Sequence, residues 1–122
     1  MKKNKPFSLR ARAKSFKYAL DGIISFFKAE HNSRLHLLAT VAVFVAAIVL
    51  HVSASEMIAL ILAIGFVWVA ELFNTAVEKI MDFISTEQDE KIKFIKDVSA
   101  AAVLVAAGTA IAVGCFVFIP KL

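Results

Sequence analysis

The chain has 122 residues, of which 60% are hydrophobic, with a mean hydropathy of +0.77 and a formal net charge of +4. Soluble domains contain about 45–50% apolar residues, and a chain this short buries only part of its surface. Composition therefore excludes a soluble globular domain, a disordered segment and a fibrous repeat. The single cysteine excludes an internal disulfide framework and a cysteine-rich zinc site. The length fits one domain.

The first 30 residues predict an amphipathic helix over about 7–30. Phe16, Leu20, Ile23 and Phe27 fall within about 60° of one another on a helical projection, opposite most of the basic residues. Such a helix lies in the membrane interface, with phenylalanine in lipid and lysine toward anionic headgroups. A simple anchor or topology signal is the alternative interpretation.

Three apolar segments follow, and we predict membrane spans over about 35–52, 56–84 and 98–119. The last carries no charge from Val98 to Ile119, about 33 Å of helix against a hydrocarbon core of about 30 Å. The middle one is apolar from Met57 to Ala70 and continues through ELFNTAVEKIMDFI as an amphipathic helix. The predicted fold is all-α and integral to the membrane: a surface helix plus three transmembrane helices.

The basic residues predict the orientation of these spans. Nine Lys or Arg precede the first span, four more lie from Lys79, near the end of the second span, to Lys96, just before the third, and none lies in the 51–55 loop. Because basic residues collect on the cytoplasmic side, the N-terminus is predicted inside and the C-terminus outside. The localisation that follows is a multi-pass protein of the cell inner (cytoplasmic) membrane.

A stripe of acidic residues marks the second half of the middle helix. Glu71, Glu78 and Asp82 fall within about 40° of one helix face, flanked by Asn74 and Thr75. A carboxylate at the end of an apolar run costs a few kcal/mol unless it is paired or solvated, so Glu71 predicts a functional site. The alternative is a polar seam that holds a helix bundle together.

Two further clusters lie at the same predicted membrane face. Glu30 precedes the first span, with Asn32 and His36 behind it, and Lys96 and Asp97 precede the last. His36 is interpreted as a hydrogen-bonding residue of the interface. Carboxylates from two chain regions suit Mg²⁺, and lysine suits phosphate. Phosphoryl transfer needs little beyond a metal, a cation, positioning and a base.

A second function class uses the same polar residues without catalysis. The chain could be a non-enzymatic small membrane scaffold, or a transporter subunit with a polar helix seam. A transporter typically has charges near mid-membrane and inverted repeats, whereas here the charges lie at one face and three spans leave no symmetric pair.

ELFNTAVEKIMD, followed after a short loop by KDVSAAAVL, resembles the signature of the prokaryotic diacylglycerol kinase family of small integral-membrane lipid kinases. The likeness covers nearly the whole chain. It implies a homotrimer with active sites shared between subunits, in which MgATP donates its γ-phosphoryl group to a lipid primary hydroxyl. The partners implied are therefore ATP, Mg²⁺, a membrane lipid and further copies of the chain, with no nucleic acid.

The same resemblance implies roles for individual residues. Glu71 matches the catalytic base, and Glu30 and Glu78 match the metal-binding carboxylates. The family's N-terminal arginine falls on Ala11 in a gapless match, which leaves Arg10 and Arg12 as alternatives. The nucleotide-binding set implied is Tyr18, Glu30, Glu78, Glu87, Lys96, Asp97 and Arg10 or Arg12, and the substrate-positioning set is Asn74, Ser15 and Asn32.

The sequence indicates the lipid acceptor less clearly than it indicates the reaction. EHNSRLH and the ending IPKL resemble the undecaprenol kinase branch of the family, which slightly favours undecaprenol over diacylglycerol. Both are primary alcohols at the interface, so the acidic stripe does not separate them.

Overall fold

The computed structural model describes residues 6–87 and 89–122, and this part of the chain is all-helical. Four helices follow one another: α1 (Leu9–Ala29), α2 (Asn32–Val49), α3 (Ala54–Ile84) and α4 (Glu90–Phe118), with a 3₁₀ turn at Ile119–Lys121. Lys2, Lys3 and Lys5, which contribute to the predicted orientation, lie outside the described residues. The chain divides into an N-terminal unit that ends at Leu35 and a C-terminal unit from His36 to Leu122.

Helix α1 carries its own start signal. The Ser8 side chain accepts a hydrogen bond from the backbone N–H of Ala11, which satisfies one of the free donors of the first turn. At the other end the backbone N–H of Glu30 donates to Phe26 O at 3.0 Å. The apolar side chains of Phe16, Leu20 and Ile23 are exposed within the chain.

The turn between α2 and α3 is formed by local hydrogen bonds. His51 has a φ of 52°, and the backbone N–H of Val52 reaches back to Ala47 O at 3.1 Å, the Schellman pattern that ends many helices. Ser53 then caps α3: its hydroxyl accepts from Glu56 N–H, and the Glu56 carboxylate accepts from Ser53 N–H. This reciprocal capping box fixes where α3 begins.

Helices α3 and α4 form a long antiparallel hairpin. The Asp89 side chain caps α4 by accepting from the backbone N–H of Lys91, so the helix begins at Glu90, eight residues before the apolar segment that starts at Val98. With 31 and 29 residues, α3 and α4 are about 46 and 43 Å long, longer than a hydrocarbon core of about 30 Å. We call the end of the C-terminal unit that holds residues 82–87 and 89–97 the polar end.

The opposite end of this unit holds a small packed core. Ala47, Leu60 and Val117, from three different helices, are only 1–5% exposed, and Val43, Phe44 and Met57 are among the side chains that pack against them. We call this cluster the packed end. Beside it, Lys121 Nζ lies 3.2 Å from Glu56 Oε1, joining the C-terminal 3₁₀ turn to the first turn of α3.

The remaining apolar surface points outward. Helices α2, α3 and α4 are each long and apolar enough to cross a membrane, yet only 11% of each span-capable window is buried inside the chain. The prediction of an all-α fold with three span-capable helices is confirmed. Outward apolar faces on this scale suit lipid or another protein rather than water.

Candidate functional site

Glu71, the acid of the stripe that lies next to the apolar run, is paired with a histidine of another helix. Glu71 Oε1 lies 2.7 Å from Nε2 of His36, with α3 contributing the carboxylate and α2 the imidazole. The side chains are 15% and 33% exposed, so the contact is largely sheltered. His36, predicted to be a hydrogen-bonding residue of the interface, thus has a carboxylate within hydrogen-bonding distance. The pairing explains how a carboxylate is tolerated at the end of an apolar run, since a paired carboxylate costs less there than a lone one.

Two residues, Thr40 and Trp68, lie beside His36. The indole N–H of Trp68 donates to Thr40 Oγ1 at 3.0 Å, and the Thr40 hydroxyl donates to His36 O at 2.7 Å. The rings of His36 and Trp68 meet edge to face, with centroids 6.1 Å apart. Sequence reasoning assigned no role to Thr40 or Trp68. The available signals were the single hydroxyl inside an apolar helix and a tryptophan one turn before Glu71.

These groups lie at one end of an apolar cleft. The cleft has a volume of about 410 Å³ and is lined by α2, α3 and α4 of the C-terminal unit. Its polar lining comes from His36, Thr40 and Trp68, while Leu60 and Phe118 line it toward the packed end. From Trp68 to Leu60 the cleft follows α3 for about 12 Å. A space of this shape accepts an apolar chain whose polar head stays near Glu71.

One turn further along α3, an amide and a carboxylate form a second polar pair. Asn74 Nδ2 donates to Glu78 Oε1 at 3.3 Å. Asn74 Oδ1 is buried and has no hydrogen-bond partner within the part of the chain that the structure describes. A buried acceptor without a donor is costly, so this oxygen is available to a ligand. Together, the Asn74 and Glu78 oxygens are the hard donors that Mg²⁺ prefers.

Glu30 lies in the N-terminal unit, at the C-cap of α1. Its backbone carbonyl accepts from the Ser33 hydroxyl, and Ser33 itself is buried. The Glu30 carboxylate has no hydrogen-bond or ion-pair partner among residues 6–87 and 89–122. It is therefore free to accept a metal ion or a donor.

The predicted nucleotide-binding residues of the hairpin come together at the polar end. Glu87, Lys96 and Asp97 all line a second cavity of about 480 Å³, formed by residues 85–87 and 89 and the start of α4. Lys96 Nζ lies 2.6 Å from Asp82 Oδ1, and Asp97 pairs with Lys93 one turn away. Both pairs are substantially exposed, so each contributes little and can be exchanged for a ligand.

The other predicted residues belong to α1 and the start of α2. Tyr18, Arg10 and Asn32 are exposed. The Ser15 hydroxyl is engaged with Ala11 O at 3.1 Å, and the Arg12 guanidinium lies 5.3 Å from the Phe7 ring centroid. No three His, Cys, Asp or Glu side chains gather as a ligand set among the described residues. A metal held by one or two carboxylates and substrate phosphates would not form such a set.

The helices and the acidic face define a small membrane protein with a carboxylate site at one end of its spans. Residues 17–118 match the family described as prokaryotic diacylglycerol kinase, and the chain belongs to this family of lipid kinases. It is 38% identical over 109 residues to the diacylglycerol kinase of Synechocystis sp., covering 88% of this chain and 62% of that protein. It is 35% identical over 109 residues to the undecaprenol kinase of Bacillus subtilis, covering 89% of each. The resemblance predicted from the sequence is confirmed.

Proposed function

We propose that this protein is an ATP-dependent lipid kinase that transfers the γ-phosphoryl group of MgATP to the primary hydroxyl of a membrane lipid alcohol, undecaprenol or diacylglycerol. Family membership supports the phosphotransferase class, and the two relatives are named for these two lipids. The observation that carries the proposal is the Glu71 carboxylate, 2.7 Å from His36, which itself lines an apolar cleft.

In this proposal Glu71 is the general base. The lipid chain occupies apolar surface while its hydroxyl reaches Glu71, which takes the hydroxyl proton. The hydroxyl oxygen then forms a bond to the γ-phosphorus, and the bond between that phosphorus and the bridging oxygen of ADP breaks. The products are the lipid monophosphate and ADP, with one proton left on Glu71.

Glu78 and Glu30 are the proposed metal-holding carboxylates. The unpartnered Asn74 oxygen beside Glu78 supports a cation at this position, since a bound cation would satisfy it. When bound, Mg²⁺ neutralises charge that develops on the transferring phosphoryl group. Glu30 supplies an unpaired carboxylate from the N-terminal unit, and Glu78 places its carboxylate about 10 Å along α3 from Glu71.

The nucleotide is proposed to bind at the polar end. Lys96 would exchange its exposed pairing with Asp82 for the ATP phosphates, and Asp97 and Glu87 line the same cavity. From the N-terminal unit, Tyr18 and one of the two arginines Arg10 or Arg12 complete the nucleotide contacts. Ser15, Asn32 and Asn74 are the proposed substrate-positioning residues.

The proposed setting is the inner (cytoplasmic) membrane, with the N-terminus and the polar end in the cytoplasm and the C-terminus outside. The 13 basic residues on that side of the three spans support this orientation. Helix α1 lies in the interface with its exposed Phe16, Leu20 and Ile23 in lipid. The chain assembles as a homotrimer with shared active sites, which agrees with the small buried fraction of its spans.

The test is a phosphorylation assay with purified protein in mixed micelles. Undecaprenol and diacylglycerol are offered side by side with MgATP, and both ATP consumption and phosphorylated lipid are measured. We expect phosphorylation of at least one alcohol, with undecaprenol slightly favoured. No ATP consumption with either lipid would contradict the kinase proposal.

A further inference from the structure

We propose that His36 is a positioning residue for the reaction: by donating to one oxygen of Glu71, it directs the other oxygen toward the lipid hydroxyl. The inference rests on the proposed role of Glu71 as the base. It gives a role in the reaction to His36, which the sequence alone indicated only as a hydrogen-bonding residue of the interface.

The two oxygens of the Glu71 carboxylate differ in their surroundings. Oε1 lies 2.7 Å from His36 Nε2, whereas Oε2 has no hydrogen-bond or ion-pair partner within the described ranges 6–87 and 89–122. Holding one oxygen of a planar carboxylate sets the direction of the other. A free glutamate side chain has three rotatable bonds, so this contact removes conformations in which Oε2 points away from the substrate.

Residue His36 has neighbours on two helices, one at its backbone carbonyl and one at its ring. Within α2, the Thr40 hydroxyl binds the backbone carbonyl of His36, and across the cleft Trp68 binds the same hydroxyl and packs its ring edge against the imidazole. A donor carried by such a supported side chain keeps its geometry better than one on a free surface chain. These contacts therefore favour a role for His36 in positioning Glu71 over an incidental ion pair.

The location of His36 adds an independent reason. His36 lines the apolar cleft, and its Glu71 partner lies one turn beyond Trp68 at the same end. A lipid hydroxyl that approaches along the cleft arrives beside His36 and meets the unbound oxygen of Glu71. The histidine is thus placed where the orientation of the base matters to the substrate.

The test compares two replacements of this histidine in the full-length protein. His36→Leu removes the donor, while His36→Gln keeps an N–H donor at similar reach. With undecaprenol or diacylglycerol and MgATP, we expect His36→Leu to lower kcat about 10- to 100-fold with KM for MgATP unchanged, since misplacement of a reacting group costs on this scale. We expect His36→Gln to recover kcat to within about threefold of wild type. His51→Leu, in the turn between α2 and α3, is the matched control and should keep kcat.

Three outcomes would overturn the proposal. A His36→Leu enzyme with kcat within twofold of wild type shows that the contact is not needed, and a His36→Gln enzyme as impaired as His36→Leu shows that the donor is not the role. If His36→Leu does not fold, His36→Asn takes its place, because its amide is too short to reach Glu71. Full activity of His36→Asn then overturns the proposal equally.

The double variant separates this inference from the proposed function. A residue that acts only through Glu71 gives no further loss in a Glu71→Gln background, so the residual rates of Glu71→Gln and His36→Leu/Glu71→Gln should agree. A further tenfold loss means that His36 acts independently and the inference fails. If Glu71→Gln alone keeps the wild-type rate, the proposed role of Glu71 as the base is wrong. If Glu71→Gln is inactive but His36→Leu is active, only the positioning role of His36 is rejected.

Discussion

At the packed end of the C-terminal unit, Ala47, Leu60 and Val117 are nearly inaccessible, and one ion pair between Lys121 and Glu56 borders them. At the polar end the contacts are between carboxylates and lysines, most of them exposed, around an open cavity. Between the two lies the apolar cleft, which is lined by Leu60 and Phe118 toward the packed end and by His36, the partner of Glu71, at the other end.

The difference shows how a very small membrane protein separates stability from chemistry. Packing of small and apolar side chains holds three helices together at one end. Inside a bilayer the hydrophobic effect does not favour contact between helices, so close van der Waals contact stabilises them instead. Exposed ion pairs at the other end contribute little, so a charged substrate can displace them at low cost. The predictions below separate these two kinds of contribution.

Removal of the proposed base should have the largest effect. We expect Glu71→Gln to lower kcat by about 10²–10⁴-fold, equivalent to roughly 3–5 kcal/mol of barrier, while the protein still inserts and binds MgATP. Steady-state lipid phosphorylation and a separate nucleotide-binding assay measure the two parts. Glu56→Gln is the matched control, because it neutralises a carboxylate on the same helix at the packed end and should keep kcat. Retention of more than about a tenth of the rate by Glu71→Gln would argue against its role.

Loosening the packed end should affect stability and not chemistry. We expect Leu60→Ala to lower the free energy of unfolding by about 2 kcal/mol, the low end for a buried leucine, since in lipid the loss is one of packing. Thermal unfolding in detergent measures it, with kcat staying within about twofold. Leu62→Ala, on the same helix but 68% exposed within the chain, should lose less. Equal losses from the two leucines would show that the packed end is not what holds the helices.

The proposed metal carboxylates should change the dependence on Mg²⁺. We expect Glu78→Gln and Glu30→Gln each to raise the half-saturating Mg²⁺ concentration about tenfold, or about 1.4 kcal/mol, because each removes one hard oxygen ligand. Mg²⁺ titrations of kcat at saturating ATP give the measurement. Asp21→Asn, an exposed acid on α1, serves as the control for charge alone. Titration curves that stay unchanged in both glutamate variants would reject the assignment.

The ion pair at the packed end should matter least. Lys121→Met breaks the contact with Glu56, and we expect a loss of stability below about 1 kcal/mol with kcat unchanged, since partly exposed pairs rarely contribute more. Thermal unfolding at low and high salt measures it, and the small difference from wild type should shrink with salt. A loss as large as that of Leu60→Ala would mean that the pair, rather than the packing, holds this end.

The sequence predicted the helices and the acids because both are local properties. Apolar length and helical period place three span-capable helices, and the spacing of Glu71, Glu78 and Asp82 puts them on one face whatever α3 packs against. The ELFNTAVEKIMD signature also identified the family. The early start of α4 was missed because the charged segment 90–97 ends the apolar pattern but not the helix, which Asp89 caps.

Contacts between side chains of different helices could not be predicted from these local properties of the sequence. That Glu71 meets His36, that Lys96 meets Asp82, and that Trp68 reaches Thr40 across 28 residues all depend on the rotation and axial offset of neighbouring helices. Those offsets come from how Ala47, Leu60 and Val117 pack at the far end, and no spacing within one helix encodes them. The sequence thus determined an all-helical membrane chain with one acidic face and its family. Only the tertiary structure decided that His36 of α2 lies 2.7 Å from the Glu71 carboxylate, because that distance depends on how the two helices pack.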